Sequence, residues 1–355
     1  MVIFNITIHE LFIAFVVLLV IVIILIIAVL IYSFSQYRSL KNLSEWSRLI
    51  DEKVSEAIVY GKEEETDSEE FLKVSHGSAF RELFLEKLVS TEKKFSGIAQ
   101  EEIKDLFETY NLSKEAYSKL SQKKPHLIAG GIQELTAMKV DAALPKIESF
   151  LKHPSTMVYQ ESQYAMLAFK GFKGLSFLNN ISHDISDWQQ LRLLISLTSI
   201  PEEDQVEINN WLQSSNNSVV IFALSLLRKF QMLSFYPAVW DLLQHSDVEV
   251  RVNAVRTLLS LENEKTISAL AEVFPDQPLE AQYEILKKME VSNDQGSVGF
   301  LKTQLLEHPN TGIRIHAAEA LFALGHQEYL NLFIQDPTAS EELIHIIKHA
   351  LQKKI

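Results

Sequence analysis

The sequence predicts an all-α protein in which a single N-terminal transmembrane helix precedes an α-solenoid of about seven helix pairs. Three observations predict this architecture. Glycine and proline number only 11 and 9 among 355 residues, which favours helix over sheet. A long uncharged apolar run stands near the N-terminus. An apolar helical stripe then recurs at a fixed interval through most of the remaining chain.

The first element is an apolar run of 24 residues without a charge, from Leu11 to Phe34. As a helix it reaches about 36 Å at about 1.5 Å per residue, which is enough to cross a bilayer with some tilt. It lacks the basic leader and the small-x-small exit of a cleaved signal peptide, so we interpret it as a retained signal anchor. The range 1–36 is therefore predicted to hold an extracytoplasmic N-terminus and the transmembrane helix.

Basic residues flank this run on one side only. No Lys or Arg precedes it, and within about 20 residues after it come Arg38, Lys41, Arg48 and Lys53. Because basic flanks stay on the cytoplasmic side, the C-terminal body is predicted to be cytoplasmic. The alternative is the inverted topology, with an extracytoplasmic solenoid that acts as a receptor.

Three predicted segments connect the apolar run to the repeats. Apolar residues at helical spacing predict an amphipathic juxtamembrane helix over 37–60. The range 61–77 begins with the acidic run GKEEETDSEE, which cannot bury apolar surface, and is predicted to be a flexible linker. Helical stripes then predict a helical N-terminal cap over 78–122.

The repeats emerge when one helical stripe is sought at a fixed interval. Seven starting residues are separated by 30 to 32 positions: Gly131, Ser162, Leu193, Ala223, Ala254, Ile285 and Ala317. The residue four positions after each starting residue is always apolar. The residue four positions before it and the residue seven positions after it are each apolar in six of the seven units. These offsets lie on one face of a helix. Repeats are therefore predicted over 123–337, and a C-terminal cap helix over 338–355.

Two of these units carry a pattern that a known family shares. The segment Asp247–Leu261 contains an acidic turn, Val-Arg, Ala and Leu, and the segment Thr311–Gly325 follows it with Ile-Arg, Ala and Leu. The sequence from about Lys123 onward therefore resembles HEAT repeats, including the HEAT-like repeats of phycobilin-lyase type. The resemblance implies stacked helix pairs of armadillo-type fold in a right-handed superhelix, with second helices on a concave face.

Composition argues against several classes of function. The formal net charge is −13, and almost all of it falls after Gln36, because the segment before holds a single acidic residue, Glu10. A nucleic-acid partner is therefore not expected. The chain has no cysteine, no glycine-rich phosphate loop, no His-Glu-x-x-His and no Gly-x-Ser-x-Gly. We accordingly expect no cofactor, no metal and no enzyme activity.

Two groups of residues come closest to a chemical site. His345 and His349 are one helical turn apart, but no third ligand stands at a fixed spacing from them. His183, Asp184 and Asp187 cluster with Trp188 in what we interpret as a loop between repeats. Capping of a helix is the better interpretation of that second group.

Candidate protein-binding residues come from aligning, in two repeats, the helix that precedes the next start, which the resemblance places on the concave face. Pro145 and Pro237 each stand 17 positions before the next start, and the alignment gives Trp240 an exposed-type position. An exposed tryptophan is a candidate anchor of an interface. The predicted protein-binding set is Trp240, Asp241, Gln244, Glu148 and Lys152. The alternative is that Trp240 packs across the neighbouring repeat, and Trp211 is predicted to lie in the core.

An anchor, repeats and the lack of a catalytic motif together predict a membrane-anchored cytoplasmic scaffold that binds a partner protein, itself associated with the membrane. The resemblance points further, to bacterial accessory proteins of envelope or exopolysaccharide assembly beside a glycosyltransferase of the inner membrane. The alternatives are a HEAT-scaffold enzyme similar to a lyase or a glycosylase, and the extracytoplasmic receptor. The oligomeric state stays open.

Overall fold

The computed structural model describes residues 8–61, 67–261, 263 and 265–352, and this part of the chain is helical without a strand. Its α-helices are, in order, α1 Ile8–Tyr60, α2 Glu69–Val74, α3 Ser78–Glu92, α4 Ile98–Thr109, α5 Ser113–Leu120, α6 Pro125–Ala137, α7 Leu144–Glu148, α8 Thr156–Lys170, α9 Asp187–Ser196, α10 Gln205–Leu212, α11 Asn217–Phe230, α12 Tyr236–Asp241, α13 Val248–Ser260, α14 Thr266–Glu272, α15 Leu279–Ser292, α16 Val298–Glu307, α17 Thr311–Ala323, α18 Gln327–Gln335 and α19 Glu341–Gln352. Short 3₁₀ segments adjoin several of them, at Asp141–Ala143, Ser149–Lys152, Gly171–Asn180, Glu202–Asp204, Leu233–Phe235, Leu242–Gln244, Phe274–Asp276 and Gln295–Ser297.

Helix α1 runs without a break from Ile8 to Tyr60. Its side chains at 15–30 are apolar and exposed throughout. Over the residues that the structure describes in full, no helix combines the length and the apolar character that a membrane crossing needs. The ends of the predicted run Leu11–Phe34, and the predicted extracytoplasmic residues before it, lie outside the described side chains.

The chain divides into two compact units, and the first, Met1–Ala165, is built around the C-terminal end of α1. Leu49, Ile50 and Val54 on this helix are buried, and α1 packs against α3 and α4. The helix predicted over 37–60 is therefore the end of one long helix, and protein covers its apolar face from Leu49 to Val54.

Part of the range predicted to be a linker, 61–77, is folded. Helix α2, Glu69–Val74, lies within it, and Phe71 on this helix is buried with its ring 5.4 Å from that of Phe80. Burial of this aromatic side chain offsets the entropy of ordering the short helix, which the acidic composition of the range concealed. Residues 62–66 of the predicted linker lie outside the description.

Helices α5 and α6 of the first unit approach closely at Gly131, one of the starting residues. A Cβ added there would lie 2.7 Å from the carbonyl oxygen of Ala116, so a larger residue would force the two helices apart. Beside this contact, the buried carboxylate of Glu134 on α6 forms an ion pair with Lys119 on α5. Burial raises the pKa of the Glu134 carboxyl, and the ammonium of Lys119 opposes that rise only in part.

The second unit, Met166–Ile355, contains six helices that we call the second helices of the repeats: α9, α11, α13, α15, α17 and α19. Each second helix packs against the next second helix along the chain. The helices between them, α10, α12, α14, α16 and α18, each pack on the second helix that follows. The predicted stripe is confirmed, because all seven starting residues and all seven residues four positions later are buried.

Polar side chains begin most second helices at the repeat interval. In each case a side-chain oxygen accepts a backbone N–H of the first turn, at Ser186, Asn216, Asp247, Asn310 and Ser340. The first four stand seven positions before their starting residue. The caps therefore fix where each second helix begins.

A histidine supports two of these turns, and another histidine supports the corresponding turn before α8, the helix that carries the starting residue Ser162. Nδ1 of His245 accepts the backbone N–H of Asp247 at 3.0 Å, and the same bond to the residue two positions later recurs at His153 and His308. This recurring feature lies outside the apolar stripe and was not predicted. It stabilises the turn that leads into each of these helices.

Candidate protein-binding surface

Helix α9 carries three large apolar side chains on its outer face. Trp188, Leu191 and Ile195 are 72%, 46% and 68% exposed. Their spacing of three and four residues places them on one face of the helix. We call these three residues the α9 stripe.

Packing of the opposite face explains why the α9 stripe is exposed. Leu193 and Leu197 occupy the repeat positions that enter the core, and both are buried. Leu191 and Ile195, two positions on either side of Leu193, lie about 160° around the helix from it at about 100° per residue. Once Leu193 enters the core, these side chains must therefore face outward.

Helix α11 holds the N-terminal end of α9 through the preceding loop. The Oγ of Ser218 accepts the backbone N–H of Ile185 at 2.9 Å, and the amide nitrogen of Asn216 donates to the carbonyl oxygen of His183 at 3.0 Å. Ser218 lies in the first turn of α11, and Asn216 is the N-cap of that helix. The entry of the chain into α9 is therefore fixed by hydrogen bonds.

Helix α11 also holds the C-terminal end of α9. Nζ of Lys229 donates to the carbonyl oxygens of Leu194 and Leu197, each at 2.6 Å. A cation at a helix C-terminus hydrogen-bonds the last carbonyls and interacts favourably with the helix dipole. The α9 stripe is thus presented on a helix that is ordered before any partner arrives, which lowers the entropic cost of binding.

The chain around the α9 stripe is acidic. From 181 to 207 it has one basic residue, Arg192, against six acidic ones: Asp184, Asp187, Glu202, Glu203, Asp204 and Glu207. Asp184 and Asp187 are exposed at the beginning of α9, and Glu202 and Glu203 are exposed shortly after its end. The apolar surface therefore has negative charge before and after it along the chain.

On α13 and α15 the positions that correspond to Trp188 and Ile195 are charged. On α13 they include Glu249 and Arg256, and on α15 they include Glu280 and Lys287, all exposed. Arg256 is paired with Glu284 on α15, with Nη2 2.7 Å from Oε1. Large apolar side chains at all three stripe positions are therefore a feature of α9 that α13 and α15 do not share.

The predicted protein-binding set is divided between the two units. Glu148 and Lys152 are exposed in the first unit. Asp241 and Gln244 are exposed in the second unit, where Trp240 is half-buried. The structure therefore gives no single surface within one unit that contains all five residues.

Two of the tryptophans are held by packing. The indole of Trp240 packs against the core and stacks on Tyr236, with ring centroids 6.3 Å apart and an angle of 20°. This geometry agrees with the alternative interpretation of Trp240 as a packing residue. Trp211 lies in the core, as predicted, and its Nε1 donates to Oδ1 of Asn179 at 2.6 Å.

Sites for metals or small molecules are weaker candidates than the α9 stripe. In the described part of the chain no three His, Asp or Glu side chains are grouped as metal ligands, and His345 and His349 are both exposed on α19. A pocket of about 800 Å³ lies along α1 between positions 44 and 60, and its lining comes from that helix alone. The α9 stripe is the better-defined surface.

The α9 stripe was not predicted from the sequence, because Trp188 was placed in a loop and not on a helix. Two signals point to it. Ser186 is a residue type that caps helices, and its Oγ accepts the N–H of Gln189 at 3.4 Å. A second apolar phase, Trp188, Leu191 and Ile195, follows that cap out of step with Leu193.

Comparison with known proteins yields weak structural likenesses. No protein-family model and no curated protein matches the chain. Similar solved structures include an engineered protein (17% identity over 81% of this chain and 88% of that one, TM-score 0.34). They also include the CpcE–CpcF complex of phycocyanin lyase from Nostoc sp. PCC7120 (12% identity over 67% of this chain and 94% of that one, TM-score 0.31). Human deoxyhypusine hydroxylase is similar at 16% identity over 78% of this chain and 97% of that one, with a TM-score of 0.28. Such values say nothing of activity or partners.

Proposed function

We propose that this chain is a membrane-tethered scaffold that binds a partner protein through the α9 stripe, and that it acts by binding and not by catalysis. The observation that carries the proposal is the exposure of Trp188, Leu191 and Ile195 on a helix whose two ends are already held. Burial of apolar surface is favourable by about 25 cal/mol per Å². Contiguous exposed apolar patches are typical of interaction sites.

The apolar part of α1 supports the tether. Its exposed apolar side chains at 15–30 need a cover, and the run Leu11–Phe34 is long enough for lipid to supply it. From Phe34 to Leu49 the same helix rises about 22 Å at about 1.5 Å per residue. The first unit would therefore stand close to the bilayer on a continuous helix, and the basic residues that follow the run favour the cytoplasmic side.

A tether of this kind would concentrate the scaffold where its partner resides. Restricting two proteins to one membrane raises their effective concentration and strengthens a modest interaction. The partner is proposed to be a protein that is itself associated with the membrane. The resemblance to anchored HEAT proteins extends the proposal to envelope or exopolysaccharide assembly beside a glycosyltransferase.

Co-purification from detergent-solubilised native membranes tests the partner. Wild-type protein is compared with the triple variant Trp188→Ser/Leu191→Ser/Ile195→Ser and with the control Val291→Ser/Leu332→Ser, whose residues are 75% and 66% exposed. We expect one stoichiometric partner with the wild type and the control, and its loss with the triple variant. Equal recovery with the triple variant would contradict the proposal.

Two further measurements test the tether and its orientation. Alkaline carbonate extraction should leave the full chain in the membrane pellet, because an inserted helix is not released by high pH. Alkaline phosphatase fused after the C-terminus should be inactive if the body is cytoplasmic. Release by carbonate would contradict the tether, and an active fusion would contradict the orientation.

A further inference from the structure

We propose that the partner segment that binds the α9 stripe is a basic amphipathic helix. This inference rests on the proposed function and specifies the chemistry of its partner. Three properties of the surface carry it: the length of the α9 stripe, its apolar character, and the acidic residues before and after it.

The length of the α9 stripe sets the size of the partner segment. From Trp188 to Ile195 the helix rises about 10 Å, or about two turns, at about 1.5 Å per residue. A ridge of this length on one helix packs into the groove of another helix of similar length. The partner is therefore expected to present apolar residues at positions i, i+3 or i+4, and i+7 over two to three turns.

Charge sets the flanks of the partner segment. Asp184 and Asp187 are exposed at the beginning of α9, and Glu202 and Glu203 are exposed within seven residues after its end. Two cations lie nearby: Lys229 is engaged with backbone carbonyl oxygens of α9, and the half-buried Arg192 on α9 is one basic residue against six acidic ones from 181 to 207. Lysine or arginine on both sides of the apolar positions would complement these carboxylates, which accelerates association and excludes wrong partners.

The same charges disfavour the other occupants of an apolar patch. Two copies of the chain that met through their α9 stripes would bring Asp187 and Glu203 of each copy towards like charges. An anionic bilayer surface would be repelled in the same way, since its headgroups carry negative charge. A cationic protein helix is the occupant that both the apolar and the acidic features favour.

Peptide binding to the detergent-solubilised full chain tests the inference. The probe is a labelled three-turn peptide with leucines at i, i+4 and i+7 and two lysines at each end. The matched control peptide carries glutamates in place of the lysines. Fluorescence anisotropy should show at least tenfold tighter binding of the lysine peptide, weakening as salt rises. The triple variant should lose at least tenfold in affinity, and Val291→Ser/Leu332→Ser should not.

A second variant separates charge from apolar contact. Asp184→Asn/Asp187→Asn/Glu202→Gln/Glu203→Gln leaves the α9 stripe intact and removes the flanking carboxylates. It should bind the lysine peptide at least fivefold more weakly than the wild type and should lose most of the salt dependence. Unchanged affinity in this variant would overturn the inference.

The outcomes distinguish this inference from the proposed function. If the triple variant loses the native partner but the two peptides bind the full chain equally, the scaffold stands and the basic helix is wrong. If dimers of the wild type disappear in the triple variant, the occupant is a second copy. The third result uses nanodiscs that contain brominated phosphatidylglycerol, whose bromine quenches the fluorescence of tryptophan in contact with it. If the tryptophan fluorescence of the wild type is quenched and that of Trp188→Phe is not, the occupant is lipid. Each of these three results overturns the inference.

Discussion

Nζ of Lys229, in the last turn of α11, donates to the carbonyl oxygen of Leu194 near the end of α9 at 2.6 Å. A second bond of the same length reaches the carbonyl oxygen of Leu197. The carbonyl oxygen of Leu194 also accepts the backbone N–H of Leu197 at 3.3 Å, and one ammonium group bridges it to the carbonyl oxygen of Leu197. The orientation of the α9 stripe thus depends on a side chain of the next repeat.

Replacing Lys229 should loosen α9 without removing the α9 stripe. We expect Lys229→Met to lower stability by about 1 kcal/mol and to accelerate hydrogen exchange of the C-terminal amides of α9, because the carbonyls lose their cation. Partner affinity should fall several-fold through loss of preorganisation. Hydrogen-exchange mass spectrometry measures the effect, with Lys287→Met as control. Unchanged exchange in α9 would contradict this role.

Substitution by alanine should destabilise the protein strongly at one tryptophan of the second unit and very little at another. Trp211→Ala should lower the free energy of unfolding by about 3–5 kcal/mol, because its ring is 2% exposed and its removal leaves a cavity. Trp188→Ala should change it by no more than about 0.5 kcal/mol, because an exposed ring has little packing to lose. Urea denaturation measures both. A similar loss for the two variants would show that Trp188 is structural.

The buried half of each second helix could be predicted from sequence, and the outer half of α9 could not. At Ala223 and Ala254 the residues at the repeat positions are apolar, so the inward face follows from the helical period. In α9 the repeat interval assigns Leu193 and Leu197 to the core, but the α9 stripe forms a second apolar face that the interval alone does not place. Contact with α11 decides its placement, and that contact joins residues about 30 positions apart.

Other parts escaped prediction because a single neighbour changes their meaning. The range predicted to be a linker contains the folded helix α2, and the aromatic contact of Phe71 with Phe80 accounts for its order. Trp240 reads as exposed until Tyr236, one turn earlier, is seen to stack on it. Composition and spacing describe one helix at a time, whereas both of these outcomes depend on which rings meet.

The recurring histidine turn predicts a measurable effect on stability. Asp247→Ala removes the acceptor for the N–H of Val250 and should destabilise by about 1 kcal/mol. His245→Ala leaves the N–H of Asp247 without its acceptor and should cost about 1 kcal/mol. The double variant should lose less than the two effects added, because both act on one turn. Thermal denaturation checks this, with the exposed His349→Ala as control. Full additivity would argue against a shared turn.

The buried Glu134 carboxyl predicts a pH dependence for the first unit. Burial raises its pKa above its ordinary value of 4.5, despite the nearby ammonium of Lys119. A raised folded-state pKa gives stability that is present below the ordinary value and is lost as the pH rises through the folded-state pKa. Glu134→Gln should therefore gain stability relative to the wild type as the pH rises from 4.5 to neutrality. Denaturation at several pH values tests this, with Glu56→Gln as an exposed control; a constant difference would contradict it.

The most direct test of the α9 stripe as a protein-binding surface is photo-crosslinking in native membranes. A photoreactive benzoylphenylalanine replaces Leu191 on the α9 stripe in one variant and Leu332, exposed on α18, in another. If the α9 stripe binds a partner, irradiation should join position 191 to one protein of defined mass and should leave position 332 without that product. No product at position 191, or the same products at both positions, would contradict it.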